Sequence, residues 1–98
     1  MEKVKLQAQY GLYINGEWRN ASDGATYNAE SPADGSHLAV CAQGSREDVE
    51  AASAAAWEAF KTWKKTTPAQ RAALLNKIAD IIDANKEHLA MVESMDNG

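Results

Sequence analysis

Leu74, Leu75, Ile78, Ile81 and Ile82 recur at the three- and four-residue spacing that gathers side chains on one face of a helix. A helix does not hold itself together around one wet stripe, because burial must offset the chain entropy lost on ordering. The seam therefore demands a covering surface. The chain is poorly supplied to build one: Leu, Ile, Val and Phe number 15 of 98 residues, and 19 of its hydrophobic residues are alanine. That falls below the fifth or so at which a chain readily builds its own core. Beyond the seam, Glu93-Ser94-Met95-Asp96-Asn97-Gly98 reads as the last turn of a helix and its cap, after which a chain normally folds back. The sequence reads as the opening of a larger protein whose later residues own the other side of the contact.

Local order is nonetheless written clearly. Residues 1–10 mix charge with Gln and show no sustained period, which marks a leader, poorly ordered or draped on a neighbour. Leu12-Tyr13-Ile14, Asn15-Gly16 and Glu17-Trp18-Arg19 predict a hairpin, since Asn-Gly supplies the positive φ pair of a type I′ turn. A second hairpin is expected from Thr26-Tyr27-Asn28-Ala29-Glu30, the turn Ser31-Pro32-Ala33-Asp34-Gly35, and the run His37 to Ala42.

Gly44 ends that strand and Ser45 caps a helix, with Asp48 three positions on completing a capping box. The helix runs to about Lys64 or Lys65, gathers Val49, Ala52, Ala56, Phe60 and Trp63 near one face, and carries Lys61, Lys64 and Lys65 at its negative dipole end. Thr67-Pro68-Ala69-Gln70 starts the second helix, with Thr67 as cap and Pro68 at the first helical position. Near Asn85 the pattern softens; a bend is expected there, with Asn85 capping a third helical segment that carries Leu89, Val92 and Met95.

Composition excludes several functions. The formal net charge is -4 with basic residues scattered among acidic ones, so no basic stripe faces a nucleic acid. No apolar run approaches the roughly 20 residues that cross a bilayer, and Met1-Glu2-Lys3-Val4 opens no signal peptide, which points to the cytoplasm. Cys41 is the single cysteine and sits in an apolar strand without an activating neighbour, so it reads as a small packing residue. His37 and His88 are solitary, with no partner at metal or triad spacing. Trp18, Trp57 and Trp63 read as packing groups.

In order and spacing, these pieces resemble the N-terminus of the aldehyde dehydrogenase superfamily. Tyr13 to Trp18 is similar to its Tyr/Phe-Ile-Asn-Gly-Glu-Trp hairpin, and Glu30-Ser31-Pro32-Ala33-Asp34-Gly35 to its Asn-Pro-Ala-Thr-Gly turn, departing at Ser31 and Asp34. Asp48-Val49 with the alanines from Ala51 to Ala56 resembles its Ala-rich helix. Phe60, Trp63, Arg71, Leu74, Ile78, Ala79 and Ile82 match the next helical motifs, and Glu93 to Gly98 matches Glu-Thr-x-Asp-Asn-Gly.

The resemblance implies an α/β parent in which this segment, two N-terminal β-hairpins followed by two or three α-helices, is an incomplete part (residues 11–98) of a Rossmann-like NAD(P)-binding domain. It implies oxidation of an aldehyde to a carboxylic acid with NAD or NADP, by a Cys nucleophile, a Glu base and an Asn oxyanion donor that all lie downstream. No catalytic or cofactor-binding residue is expected within the segment. It also implies a structural sodium or potassium ion held by main-chain oxygens near Ala29 and Glu30 together with Asp96. Its partners are the remainder of the polypeptide, a small-molecule aldehyde, and copies of itself in a homodimer or homotetramer. The residues alone leave a rival open: a self-contained interaction module whose Leu74, Ile78 and Ile82 seam grips another protein.

Overall fold

The computed structural model describes residues 5–98; residues 1–4 of the expected leader lie outside the described residues. The end of the leader, Gln9–Tyr10 (β1), is a strand, paired in parallel with β5 (His37–Ala42), with Tyr10 opposite Cys41 and the Val40 N–H donating to the Ala8 carbonyl at 3.0 Å. Leu6, Ala8 and Tyr10 do alternate with Lys5, Gln7 and Gln9. That period-two signal is short and its polar flank hides it.

Both expected hairpins form. Leu12–Ile14 (β2) pairs antiparallel with Glu17–Arg19 (β3), and Asn15 and Gly16 take φ of 55° and 77° between them. Two consecutive positive φ values match the strands' right-handed twist. Tyr13 and Trp18 face each other across the pair with ring centroids 4.8 Å apart. Thr26–Glu30 (β4) pairs antiparallel with β5, so the larger sheet has the order β1-β5-β4, with an irregularity at Ala29/Glu30. The Gly35 N–H donates to the Ser31 carbonyl, and the Ser31 N–H to the Ser36 carbonyl, each at 2.8 Å, closing the turn.

Three helices follow: Arg46–Trp63 (α1), Pro68–Ala84 (α2) and Lys86–Asn97 (α3). Both expected capping boxes are present at Ser45/Asp48 and Thr67/Gln70. At the second, the Gln70 N–H donates to Thr67 Oγ1 at 3.1 Å while the Thr67 N–H donates to Gln70 Oε1 at 2.8 Å. Thr67→Ala removes the first of these, and a loss of about 1 kcal/mol is expected, read as a lower urea midpoint with the other helices unchanged.

Asn85 departs from its expected role. Its side chain makes no cap bond to α3; Nδ2 donates instead to the Ile81 carbonyl at 2.8 Å, closing the C-terminus of α2. Its backbone (φ -117°, ψ 14°) leaves the helical well and makes the bend. Arg71 performs the same service for α1 from the next helix: Nη2 donates to the Trp63 carbonyl at 3.2 Å and Nε to Thr66 Oγ1 at 2.7 Å, with the guanidinium 5.5 Å from the Trp63 ring centroid.

Core is scarce. Among the described residues, only Ala21 and Ala39 are buried hydrophobic side chains, whereas Ile78 and Ile82 are 52% and 50% exposed and Trp57 is 72% exposed. The radius of gyration is 16.9 Å in a body 47 × 36 × 17 Å, against about 13 Å for a compact domain of this size. Helices and sheet form a thin slab with its apolar faces open.

Candidate functional site

Of the groups singled out from the sequence, Ala29, Cys41 and Asp96 converge on the face of the larger sheet beneath α3. In an antiparallel pair, directly opposed residues share a face; Tyr27 stands opposite Cys41 and Ala29 opposite Ala39. Over these residues lies α3, leaving a concavity of about 170 Å³ lined by Tyr10, Ala29, Cys41, Val92, Glu93 and Asp96 among others. A neighbouring hollow of about 210 Å³ lies between the 31–35 turn and the same helix, with Leu38, Met91 and Met95 in its wall.

Ala29 and Asp96, far apart in sequence, therefore line one concavity. Glu30 follows Ala29 at the strand irregularity, opposite His37, with its side chain exposed. Oxygen donors suit a hard cation such as sodium or potassium. Asp96 offers a carboxylate and Ala29 a main-chain carbonyl, so these two fit such an ion. No cluster of three or more His, Cys, Asp or Glu side chains that could hold a metal occurs among the described residues.

Tyr27 is the perturbed group of this face. The Cys41 thiol opposite raises its phenol above the ordinary 10.0 by charge and by hydrogen bonding, and desolvation and the Asp96 carboxylate push the same way. A phenol so placed stays protonated at neutral pH and is no base or nucleophile. Cys41 is half-buried between tyrosines on both neighbouring strands, in keeping with a packing role. His37 and His88 are exposed. Leu6 and Tyr10 are the lining residues that a leader reading overlooks.

A dinucleotide is held by a glycine-rich turn running into a helix N-terminus whose N–H groups are free for phosphate. The sequence contains no Gly-x-Gly-x-x-Gly run. At α1 and α2 one first-turn N–H each, that of Asp48 and that of Gln70, is already engaged, by Ser45 and by Thr67.

Residues 18–98 match the model of the aldehyde dehydrogenase family. The chain is 41% identical over 96 residues to a long-chain-aldehyde dehydrogenase of Acinetobacter, covering 98% of this chain and 19% of that one. It is 36% identical to an NADP/NAD-dependent aldehyde dehydrogenase of Escherichia coli over 97 residues, covering 97% of this chain and 20% of the relative. The NAD+ complex of an aldehyde dehydrogenase from Bacillus cereus superposes with a TM-score of 0.87 at 40% identity, covering 92% of this chain and 19% of that structure. The chain thus spans about a fifth of the length of these two relatives.

Proposed function

The chain belongs to the aldehyde dehydrogenase family, and we propose that residues 11–98 serve as the incomplete N-terminal part of the NAD(P)-binding domain of an NAD(P)-dependent aldehyde dehydrogenase, with residues 1–10 as its leader. The reaction is aldehyde, NAD(P)+ and water to carboxylic acid and NAD(P)H. The cofactor takes up the hydride; this segment supplies scaffold. One observation carries the reading: the Leu74, Ile78 and Ile82 face of α2 is half exposed in a chain whose buried hydrophobic residues, among those described, are two alanines. Burying one such side chain is worth about 1.5–3 kcal/mol, so a longer polypeptide gains by covering that face. Cytoplasmic location and assembly as a homodimer or homotetramer accompany the proposal; no helix among the described residues is long and apolar enough to cross a membrane.

The segment alone is expected to form no NADH from any aldehyde, whereas a longer polypeptide that joins it to the rest of an aldehyde dehydrogenase is expected to turn over. Turnover by the segment, or an inert longer polypeptide, overturns the assignment. Asp96, with the main-chain oxygens of Ala29 and Glu30, is proposed to hold a sodium or potassium ion. In the longer polypeptide, adding potassium or sodium then raises the melting temperature of the wild type, and Asp96→Asn loses that rise; an equal rise in the variant rules the site out.

A further inference from the structure

We infer that Asp48 is the latch that fastens the β2–β3 hairpin and the loop at residues 20–25 to the start of α1, beyond its role as a helix cap. Its side chain is 2% exposed. The Ser22 N–H donates to both of its oxygens at 3.1 Å, the Ser45 N–H and Oγ donate to Oδ2 at 2.9 Å each, and Ser22 Oγ reaches Oδ2 at 3.4 Å. Arg19 Nη2, from the end of β3, lies 3.6 Å from Oδ1. A capping box needs only the Ser45 bonds. Those from Ser22 and Arg19 come from other parts of the chain.

The loop cannot replace this acceptor locally. Its other turn bonds run from Gly24 N–H to the Ala21 carbonyl and from Ala25 N–H to Asp23 Oδ1, so Ser22 N–H depends on Asp48. Bonds to a charged acceptor are among the strong ones. Losing the carboxylate therefore releases the Ser22 N–H first and Arg19 with it, leaving the 2.8 Å hydrogen bond between the Ser22 and Ser45 hydroxyls as the remaining tie of the loop to the helix start.

The carboxyl is held below its ordinary 3.8, first by the Ser45 and Ser22 backbone donors and more weakly by the Ser45 hydroxyl and Arg19, against the cost of burial. Arg19 faces it from β3; Ser22 and Ser45 carry no charge. Because the folded carboxyl is the more acidic, the latch is fully closed above about pH 3.8 and opens as pH falls through the folded value.

Hydrogen exchange on the full chain tests this. Asp48→Asn is expected to lower protection of the residue 20–25 amides by tenfold or more while α2 and α3 stay as in the wild type; unchanged protection of that loop overturns the latch. Ser45→Ala is expected to fray the first turn of α1 and leave the loop protected, and equal loss of the loop in both variants shows that the helix start holds it instead. If Asp48→Asn fails to fold, acid titration of the wild type by NMR decides: the Asp48 carboxyl and the Ser22 amide are expected to titrate together below pH 3.8, and a Ser22 amide that ignores the Asp48 transition refutes the latch.

Discussion

Ile78→Asp is expected to leave the 98-residue chain nearly as stable as the wild type and to destabilise the proposed longer enzyme severely. In the chain alone, Ile78 is 52% exposed and flanked by Leu74 at 45% and Ile82 at 50%. An aspartate there stays in water, so the cost to stability is about 0.5 kcal/mol or less. It also interrupts an apolar face of the kind that drives self-association, and light scattering should fall with helix content preserved. In the longer enzyme the proposed cover turns that water-facing site into core. Removing the isoleucine and stranding a charge then costs on the order of 3–5 kcal/mol, a large fraction of the 5–15 kcal/mol that holds typical domains together. Soluble yield and melting temperature of the longer polypeptide should drop sharply. Equal destabilisation of the short chain would mean that its own atoms cover α2 in solution, and the scaffold reading would fall in favour of a self-contained module.

What was legible in the sequence was whatever is decided within five residues. Asn15-Gly16, Ser45 with Asp48, and Thr67-Pro68 with Gln70 each place their own donors and acceptors, so the hairpins, helix starts and the corner between α1 and α2 follow from local chemistry. What escaped is settled by distant partners. Gln9–Tyr10 becomes a strand because β5 lies alongside, not because its own residues insist on it. Asn85 had two helix ends within reach, and geometry gave its side chain to the Ile81 carbonyl. The concavity shows the same division. Asp96 and Ala29 stood out by resemblance, but their meeting depends on α3 folding back over β4 and β5.

Gly11 is a single-residue joint between β1, which belongs to the larger sheet, and β2, which belongs to the hairpin, and Gly11→Ala is expected to damage it. A Cβ built there lies 2.7 Å from the Arg19 carbonyl oxygen and 3.4 Å from its carbon. Both are backbone atoms, fixed by the Leu12 to Arg19 pairing, so no side chain can swing aside. Overpacking of this kind costs about 1–3 kcal/mol, which outweighs the roughly 0.4–1 kcal/mol that alanine gains by restricting the unfolded chain. The hairpin must slide or β1 must peel from β5, and either motion drags Arg19 away from Asp48. Gly16→Ala separates this steric effect from a conformational one: nothing lies within 4 Å of a Cβ there, but φ is +77°, so only the left-handed penalty of about 1–2 kcal/mol applies. Exchange of the amides at residues 9–19 distinguishes the two. Gly11→Ala should expose Tyr10 and the partners of Arg19, whereas Gly16→Ala should loosen only the turn; a Gly11→Ala chain with wild-type protection at Tyr10 would show that the joint has room to spare.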